Sequence, residues 1–352
     1  MSEDATTRRS RWKLILTVAT LAALAILIYG IRKDVGGVIE NLGKINALVL
    51  LFMLPIEFLN YDAYSRFYVS IFATIGNKVR YWPMFRLTLE LNFVNHILPS
   101  GGVSGIGYFN VRMRSEGVST AKSSLAQVLK LFLLYLSFQP LLVLGVFLLA
   151  VRGHVNDLVM VVASSIITLM IVGTFIVIYV IEDRQRINSF LTYATKAINY
   201  IVHIVRRKHP ETISIVKAQK TFNELHENYL LIKTKWRELK RPFLYMTMAN
   251  ITEVAAIYVV YIAFGRFVNV GAVILAYAVA NFAGLISVLP AGIGIYEGLM
   301  TAVLAATGIP PELSLPVTLM YRVLNMAMQL TPGYYFYQKA VRDGLGVKQK
   351  TS

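Results

Sequence analysis

Long apolar runs separated by short basic segments dominate the chain. No stretch alternates polar and apolar residues as a half-buried strand would. Apolar runs cover Trp12–Ile31, Ala47–Val69, Leu125–Val151, Leu158–Ile181, Pro242–Phe264, Val270–Leu289 and Leu313–Gln338. Each approaches or exceeds the roughly 20 residues a helix needs to cross a bilayer core. Two shorter ones, Pro83–Leu98 and Gly292–Thr307, reach about 24 Å as helices, marginal for a core of ~30 Å. Between 182 and 241 the pattern changes. Phe222, Leu225, Tyr229, Ile232, Trp236 and Leu239 recur at three and four residues with charges between them. Ile187–Val205 is apolar on one face and leads into Arg206, Arg207 and Lys208. The pattern predicts an all-α polytopic membrane protein. It has about 7–8 transmembrane helices, short re-entrant or broken helices, two structural repeats and one helical insertion.

Composition agrees with that reading. Of the 352 residues, 56% are hydrophobic and 15% charged, against about 25% charged in soluble domains. The net charge of +16 would suggest nucleic acid in a soluble protein. In this chain it reads as basic loops on the cytoplasmic side, facing anionic headgroups. The segments 1–13, 76–86, 112–122, 182–241 and 339–352 hold 27 Lys and Arg, against 5 in 32–46, 152–154 and 265–269. This bias places both termini and the 182–241 segment in the cytoplasm, with the protein in the cytoplasmic membrane. Seven long spans cannot return the C-terminus to its starting side. Pro83–Leu98, basic on both flanks, is therefore expected to enter and return, and Gly292–Thr307 to supply the eighth crossing. The first apolar run has a basic flank but no small-residue cleavage site, so it is expected to remain as an anchor. The chain has no Cys, which removes thiolate chemistry and disulfides.

The organisation that follows has four parts. Residues 1–181 form a first membrane half and 182–241 a basic amphipathic linker. Residues 242–340 form a second membrane half and 341–352 a basic tail. The linker is either a solvated helical hairpin or a face docked on anionic lipid.

The two halves share a pattern at an offset of 191. Leu98-Pro99-Ser100-Gly101 matches Leu289-Pro290-Ala291-Gly292, and Gly107 and Gly117 match Gly298 and Gly308. Five of the 20 positions from Leu98 to Gly117 are identical, four of them Pro or Gly, and those are the residues that break helices. Each motif, 98–117 and 289–308, leads into a long span carrying a cation: Lys130 in the first half, Arg322 in the second. Paired repeats with broken helices are a transporter arrangement, because unpaired backbone groups at a break can hold a ligand.

The second motif, Leu289-Pro-Ala-Gly-Ile-Gly-Ile-Tyr-Glu-Gly298 followed by Gly308-Ile309 and Tyr321-Arg322, resembles the signature of the lysylphosphatidylglycerol synthase transmembrane region family. That is the flippase-like membrane domain of the multiple peptide resistance factor and its stand-alone relatives. Asn95-His-Ile-Leu-Pro-Ser-Gly-Gly-Val-Ser-Gly105 with Gly117-Val-Ser resembles the family's first motif, and the likeness spans about 12–340. Many relatives carry an acid soon after the first Pro-x-x-Gly, whereas here none comes before Glu116. In some relatives a separate cytoplasmic domain after the membrane region carries transfer chemistry. This sequence stops at Ser352, so the resemblance implies moving lipid without making it.

Ionisable residues inside spans are costly and mark candidate sites. Lys130 and Arg322 are candidate counter-charges for a phosphate-bearing headgroup, with Arg322 able to bind it bidentately. Glu297 would balance Arg322 in the empty site; a permanent Glu297–Arg322 ion pair is the competing structural role. Pro99, Gly101, Pro290, Gly292, Gly294, Asn95 and Asn325 complete the candidate binding set. Asn250, Glu253, Asn281 and Gln329 could extend a polar interior, or simply hydrogen-bond between helices. In the second apolar run, Asp62 and Arg66 are spaced to pair, and Glu57 and Tyr61 share a face. Glu90, Asn92, Asn95 and His96 cluster in the first short segment, with no second His at metal spacing.

The function expected is a lipid flippase or transporter, not an enzyme, for a phosphatidylglycerol derivative or a polyprenyl-phosphate-linked lipid. It needs no cofactor, metal or nucleic acid. Its partners are membrane lipids with anionic headgroups, and a homo-oligomer is open. A membrane glycosyl- or acyl-transferase is the alternative, but there is no Asp-x-Asp, no His–acid pair at a membrane boundary and no nucleotide-cradling Gly loop on a strand–helix unit. A non-transporting scaffold acting through 182–241 is the third reading.

Overall fold

The computed structural model describes residues 43, 45–97, 103–151, 157–186, 188–189, 192–193, 227, 229–230, 232–286 and 294–343. Among them there are nine α-helices of 12 or more residues and no strand, and the protein is an all-α polytopic membrane protein. In chain order they are α1 (Met53–Thr74, entered through a turn at Ala47–Leu50), α2 (Tyr81–Ile97), α3 (Val103–Ser115), α4 (Thr120–Val151), α5 (Asp157–Glu182), α6 (Lys240–Ala263), α7 (Val270–Ile286), α8 (Ile295–Ala306) and α9 (Pro311–Arg342). Ala47–Thr74, Thr120–Val151, Val159–Val180 and Trp236–Ala263 are long and apolar enough to cross a membrane. The expected span at Trp12–Ile31 lies outside the described residues, as does most of 182–241.

The lengths repeat across the chain. α1 to α4 have 22, 17, 13 and 32 residues, and α6 to α9 have 24, 17, 12 and 32. Thr120–Val151 falls on Pro311–Arg342 at the offset of 191 without adjustment. The turns repeat too. Gly117 and Gly308 both have positive φ, 77° and 89°. After each, the next amide closes back over the helix end: Val118 N–H donates to Met113 at 3.0 Å and Ile309 N–H to Leu304 at 2.9 Å. Only glycine enters that left-handed conformation without a Cβ penalty. Gly76 and Gly265 end α1 and α6 with the same bonding.

α1 and α6 pack together and run antiparallel. Asn46 N–H donates to the Ala263 carbonyl at 2.9 Å at one end. Midway, Asn60 Nδ2 donates to the Ala249 carbonyl at 3.2 Å, and at the far end Lys235 Nζ reaches the Thr74 carbonyl at 3.3 Å. Each half then sends its second helix to the other: α2 packs on α9 and α7 on α4. Small residues allow both approaches. A Cβ on Gly271 would lie 2.1 Å from the Gly145 carbonyl, and one on Gly333 2.7 Å from the Leu89 carbonyl.

Of the expected crossing at Gly292–Thr307 the described part is α8, a 12-residue helix that rises about 18 Å and packs on α7. α2 and α3 form the matching pair in the first half.

The described end of the 182–241 segment docks on the first half. Ile232 is buried among residues of α1 to α4, while Trp236, on the same stripe, stays exposed. Lys233 pairs with Glu182 at 2.5 Å, holding the Glu182 carboxyl below its usual range. Phe222, Leu225 and Arg206–Lys208 lie outside the described residues.

Candidate functional site

The second break and the last helix meet at Arg322. Its Nη1 hydrogen-bonds and ion-pairs with Glu297 Oε1, and its guanidinium lies 4.7 Å from the centre of the Tyr296 ring. The other Glu297 oxygen accepts the Gly294 N–H at 2.7 Å. Gly294 sits at φ 85°, so the chain turns sharply there and starts α8 with a carboxylate over its first amides. One acid therefore shapes the break and neutralises the cation. Arg322 and Glu297 side chains are each 9% exposed, so this arrangement is closed to bulk water.

A polar stripe continues along α9 from this pair. Tyr321, Asn325 and Gln329 recur every four residues and so share one face. Gln329 Nε2 donates to Asn325 Oδ1, and Asn325 Nδ2 donates to the Tyr321 hydroxyl at 2.9 Å. Tyr321 donates to Glu253 Oε2 of α6 at 2.7 Å. Asn60 of α1 donates to Glu253 Oε1 at 3.3 Å and to Thr252 at 2.9 Å. The network thus ties the antiparallel α1–α6 pair to the helix that carries Arg322. Asn250 instead bonds across to α4, at the Leu134 carbonyl and Ser137 hydroxyl, both at 2.9 Å, the structural role weighed from sequence.

The other candidate residues are placed unevenly. Glu297, Gly294 and Arg322 come together, while Asn325 belongs to the Tyr321–Glu253 network on the same helix. Pro99, Gly101, Pro290 and Gly292 lie outside the described residues. Asn95 lies at the end of α2, where its buried Oδ1 has no partner among the described residues and its side chain fills the space a Cβ on Gly105 would need, 1.9 Å away. The adjacent His96 is within electrostatic reach of Arg322, so the end of α2 borders the site. Lys130 is not brought onto Arg322. Its Nζ lies 5.8 Å from the centre of the Tyr64 ring. At the offset of 191 it matches Tyr321, not Arg322, and one residue turns a helix by about 100°. The expected Asp62–Arg66 pair is present at 2.7 Å, with Tyr81 also donating to Asp62.

Sequence reasoning missed a second buried pair. Arg112 of α3 binds Glu90 of α2 through Nε at 2.8 Å and Nη2 at 3.2 Å, and the Tyr108 hydroxyl donates to the same carboxylate at 2.7 Å. Arg112 was counted among loop cations; the bare count of basic residues carries no sign that it folds back onto α2.

Comparison with known proteins bears on the same span. A family model described as the lysylphosphatidylglycerol synthase TM region matches residues 13–333. The chain is similar to a UPF0104 membrane protein of Methanocaldococcus jannaschii, 23% identical over 91% of this chain and 92% of that one. A second UPF0104 membrane protein, from Methanothermobacter thermautotrophicus, is 20% identical over 90% of each chain. One from Pyrococcus horikoshii is 25% identical over 51% of this chain and 53% of its own.

Proposed function

This chain belongs to the lysylphosphatidylglycerol synthase TM region family, and from that premise we propose that it moves a phosphate-bearing lipid across the cytoplasmic membrane as a transporter and not as an enzyme. The observation that carries the reading is the buried Arg322–Glu297 pair at the second helix break. A guanidinium at membrane depth is costly unless compensated. Here the compensating acid also holds the break in shape, so an incoming anionic headgroup can take Glu297's place on the cation and loosen α8 in one event. Phosphate presents the oxygen geometry that a guanidinium binds bidentately.

The arrangement of the halves supports a moving site. In our reading the repeats are inverted, because α1 and α6 are antiparallel and the later helices keep their order and lengths. The α2–α3 pair then enters from the cytoplasm and returns, and α7–α8 does the same from outside. The span at 12–31 with α1, α4, α5, α6 and α9 makes six crossings. That even number leaves both termini and the 182–241 linker in the cytoplasm, as the basic-residue bias requires. The two membrane halves are 1–181 and 242–340. Two re-entrant hairpins facing each other give a site open to one side and then the other, while the acyl tails stay in the bilayer.

The test is reconstitution of the full chain in vesicles of phosphatidylethanolamine and phosphatidylglycerol. Movement of head-labelled lipids between leaflets is read with an impermeant quencher. Faster movement of anionic phospholipid than of a neutral diacylglycerol analogue is expected. Equal rates with and without protein for every anionic lipid would overturn the proposal.

A further inference from the structure

In the described membrane helices three acids are buried, Glu57, Glu90 and Glu297, and two are half-buried, Glu253 and Asp62, the latter paired with Arg66. Glu90 has Arg112 and Glu297 has Arg322. Glu57 of α1 and Glu253 of α6 have no cation within ion-pair distance among the described residues. Asn60, one turn on from Glu57 along α1, bonds Glu253, which brings the two acids together across the antiparallel helix pair, where they interact electrostatically. Their surroundings differ. Glu253 receives Tyr321 and Asn60 on its two oxygens. Glu57 is 4% exposed; Tyr61 and Gln329 are within hydrogen-bonding reach of its carboxyl, and its Oε2 has no hydrogen-bond partner among the described residues.

Two carboxylates close together in a membrane interior, with no cation between them, cannot both stay ionised. A proton on one removes the conflict. We propose that Glu57 and Glu253 form a proton-binding pair that couples lipid movement to a transmembrane proton gradient. The proton sits on Glu57, whose Oε2 lacks a donor, while Glu253 holds the negative charge with its two donors. This rests on the lipid-transport reading above.

The neighbours suit the task. On α1 the pair is faced by Tyr61 and Tyr64, on α9 by Tyr321, on α7 by Tyr277 and on α8 by Tyr296. α2 presents the neutral Phe85 beside Tyr61, and α4 presents Tyr135 and Lys130 behind Tyr64. Hydroxyls surround the pair, and the Lys130 Nζ lies 5.8 Å from the centre of the Tyr64 ring. The link to the headgroup is short. Tyr321, which bonds Glu253, adjoins Arg322, which bonds Glu297. A headgroup that draws Arg322 away shifts Tyr321 and withdraws a donor from Glu253, so the pair's proton affinity changes. By linkage, protonation changes headgroup affinity in return. The only bond made and broken is the O–H bond of the Glu57 carboxyl: one proton is taken up from water on one side, neutralising the carboxylate, and is released to water on the other, restoring it.

The test uses the full chain in phosphatidylethanolamine–phosphatidylglycerol vesicles with labelled phosphatidylglycerol. A gradient of about one pH unit should bias the steady-state leaflet distribution by up to about tenfold per proton. Glu57→Gln should abolish the bias. Independently, pH-difference infrared spectra of the wild type should show a protonated carboxyl band that is absent in Glu57→Gln. This second readout needs no transport, and both wild-type readouts stand even if the variant misfolds. Absence of the band in the wild type overturns the proposal. So does lipid that equilibrates identically with and without the gradient, or a bias produced by a sodium gradient instead. A wild type that shows the band but moves no lipid overturns the transport reading and the coupling, while the proton-binding pair stands.

Discussion

At the scale of residues, the site is defined by what each buried charge would become without its partner. Arg322→Ala strands Glu297 in a closed, apolar setting, which costs about 3–5 kcal/mol. The single variant should melt well below the wild type in detergent. Adding Glu297→Gln should recover most of the loss, because no unpaired charge then remains. Failure of the double variant to recover would show that Glu297 matters mainly as the cap over α8 and not as the partner of Arg322. Arg322→Lys keeps the charge but loses the planar fork, so partial lipid movement is expected, with a weaker preference for phosphate headgroups. A wild-type rate and preference would mean that only charge counts. The Arg322–Glu297 pairing was legible from the two residues' place beside a Pro/Gly break. The contact of Tyr321 with Glu253 was not, since it joins helices 68 residues apart and depends on which face of each helix turns inward. Lys130 shows the same limit from the other side: the sequence offers a cation in the matching helix, and a one-residue difference in register points it elsewhere.

At the scale of elements, the helices follow from apolar runs, and their ends from glycines at helix termini. What hydropathy does not carry is how far a short apolar segment travels. The α8 segment is as apolar as a span, yet its 12 helical residues rise only about 18 Å and pack on α7. The close crossings test this packing. Gly271→Ala puts a methyl group 2.1 Å from the Gly145 carbonyl, a backbone atom that cannot rotate away. It should destabilise the protein by about 1–3 kcal/mol. Gly107→Ala is the control. Nothing lies within 4 Å of its Cβ, so the gain in helix propensity, up to about 1 kcal/mol, should leave it neutral or stabilised. Equal melting temperatures for the two variants would mean that α7 does not approach α4 so closely.

At the scale of the whole molecule, the offset of 191 was visible because Pro and Gly mark turns that the fold needs twice. The antiparallel packing of α1 on α6 was not visible, as offset alone carries no direction. The absence of native Cys allows a direct check with single introduced thiols. Glu116→Cys, before α4, should react with an impermeant maleimide only from the cytoplasmic side. Glu312→Cys, at the start of α9, should react only from outside. Labelling of both from one side would mean parallel halves. The central claim, that the chain moves lipid through the site built on Arg322, is tested most directly by the Arg322→Ala, Glu297→Gln double variant. It is to be reconstituted beside the wild type and assayed with labelled phosphatidylglycerol. The expected result is a folded protein with wild-type melting and no lipid movement above protein-free vesicles; wild-type lipid movement by that folded variant would contradict the claim.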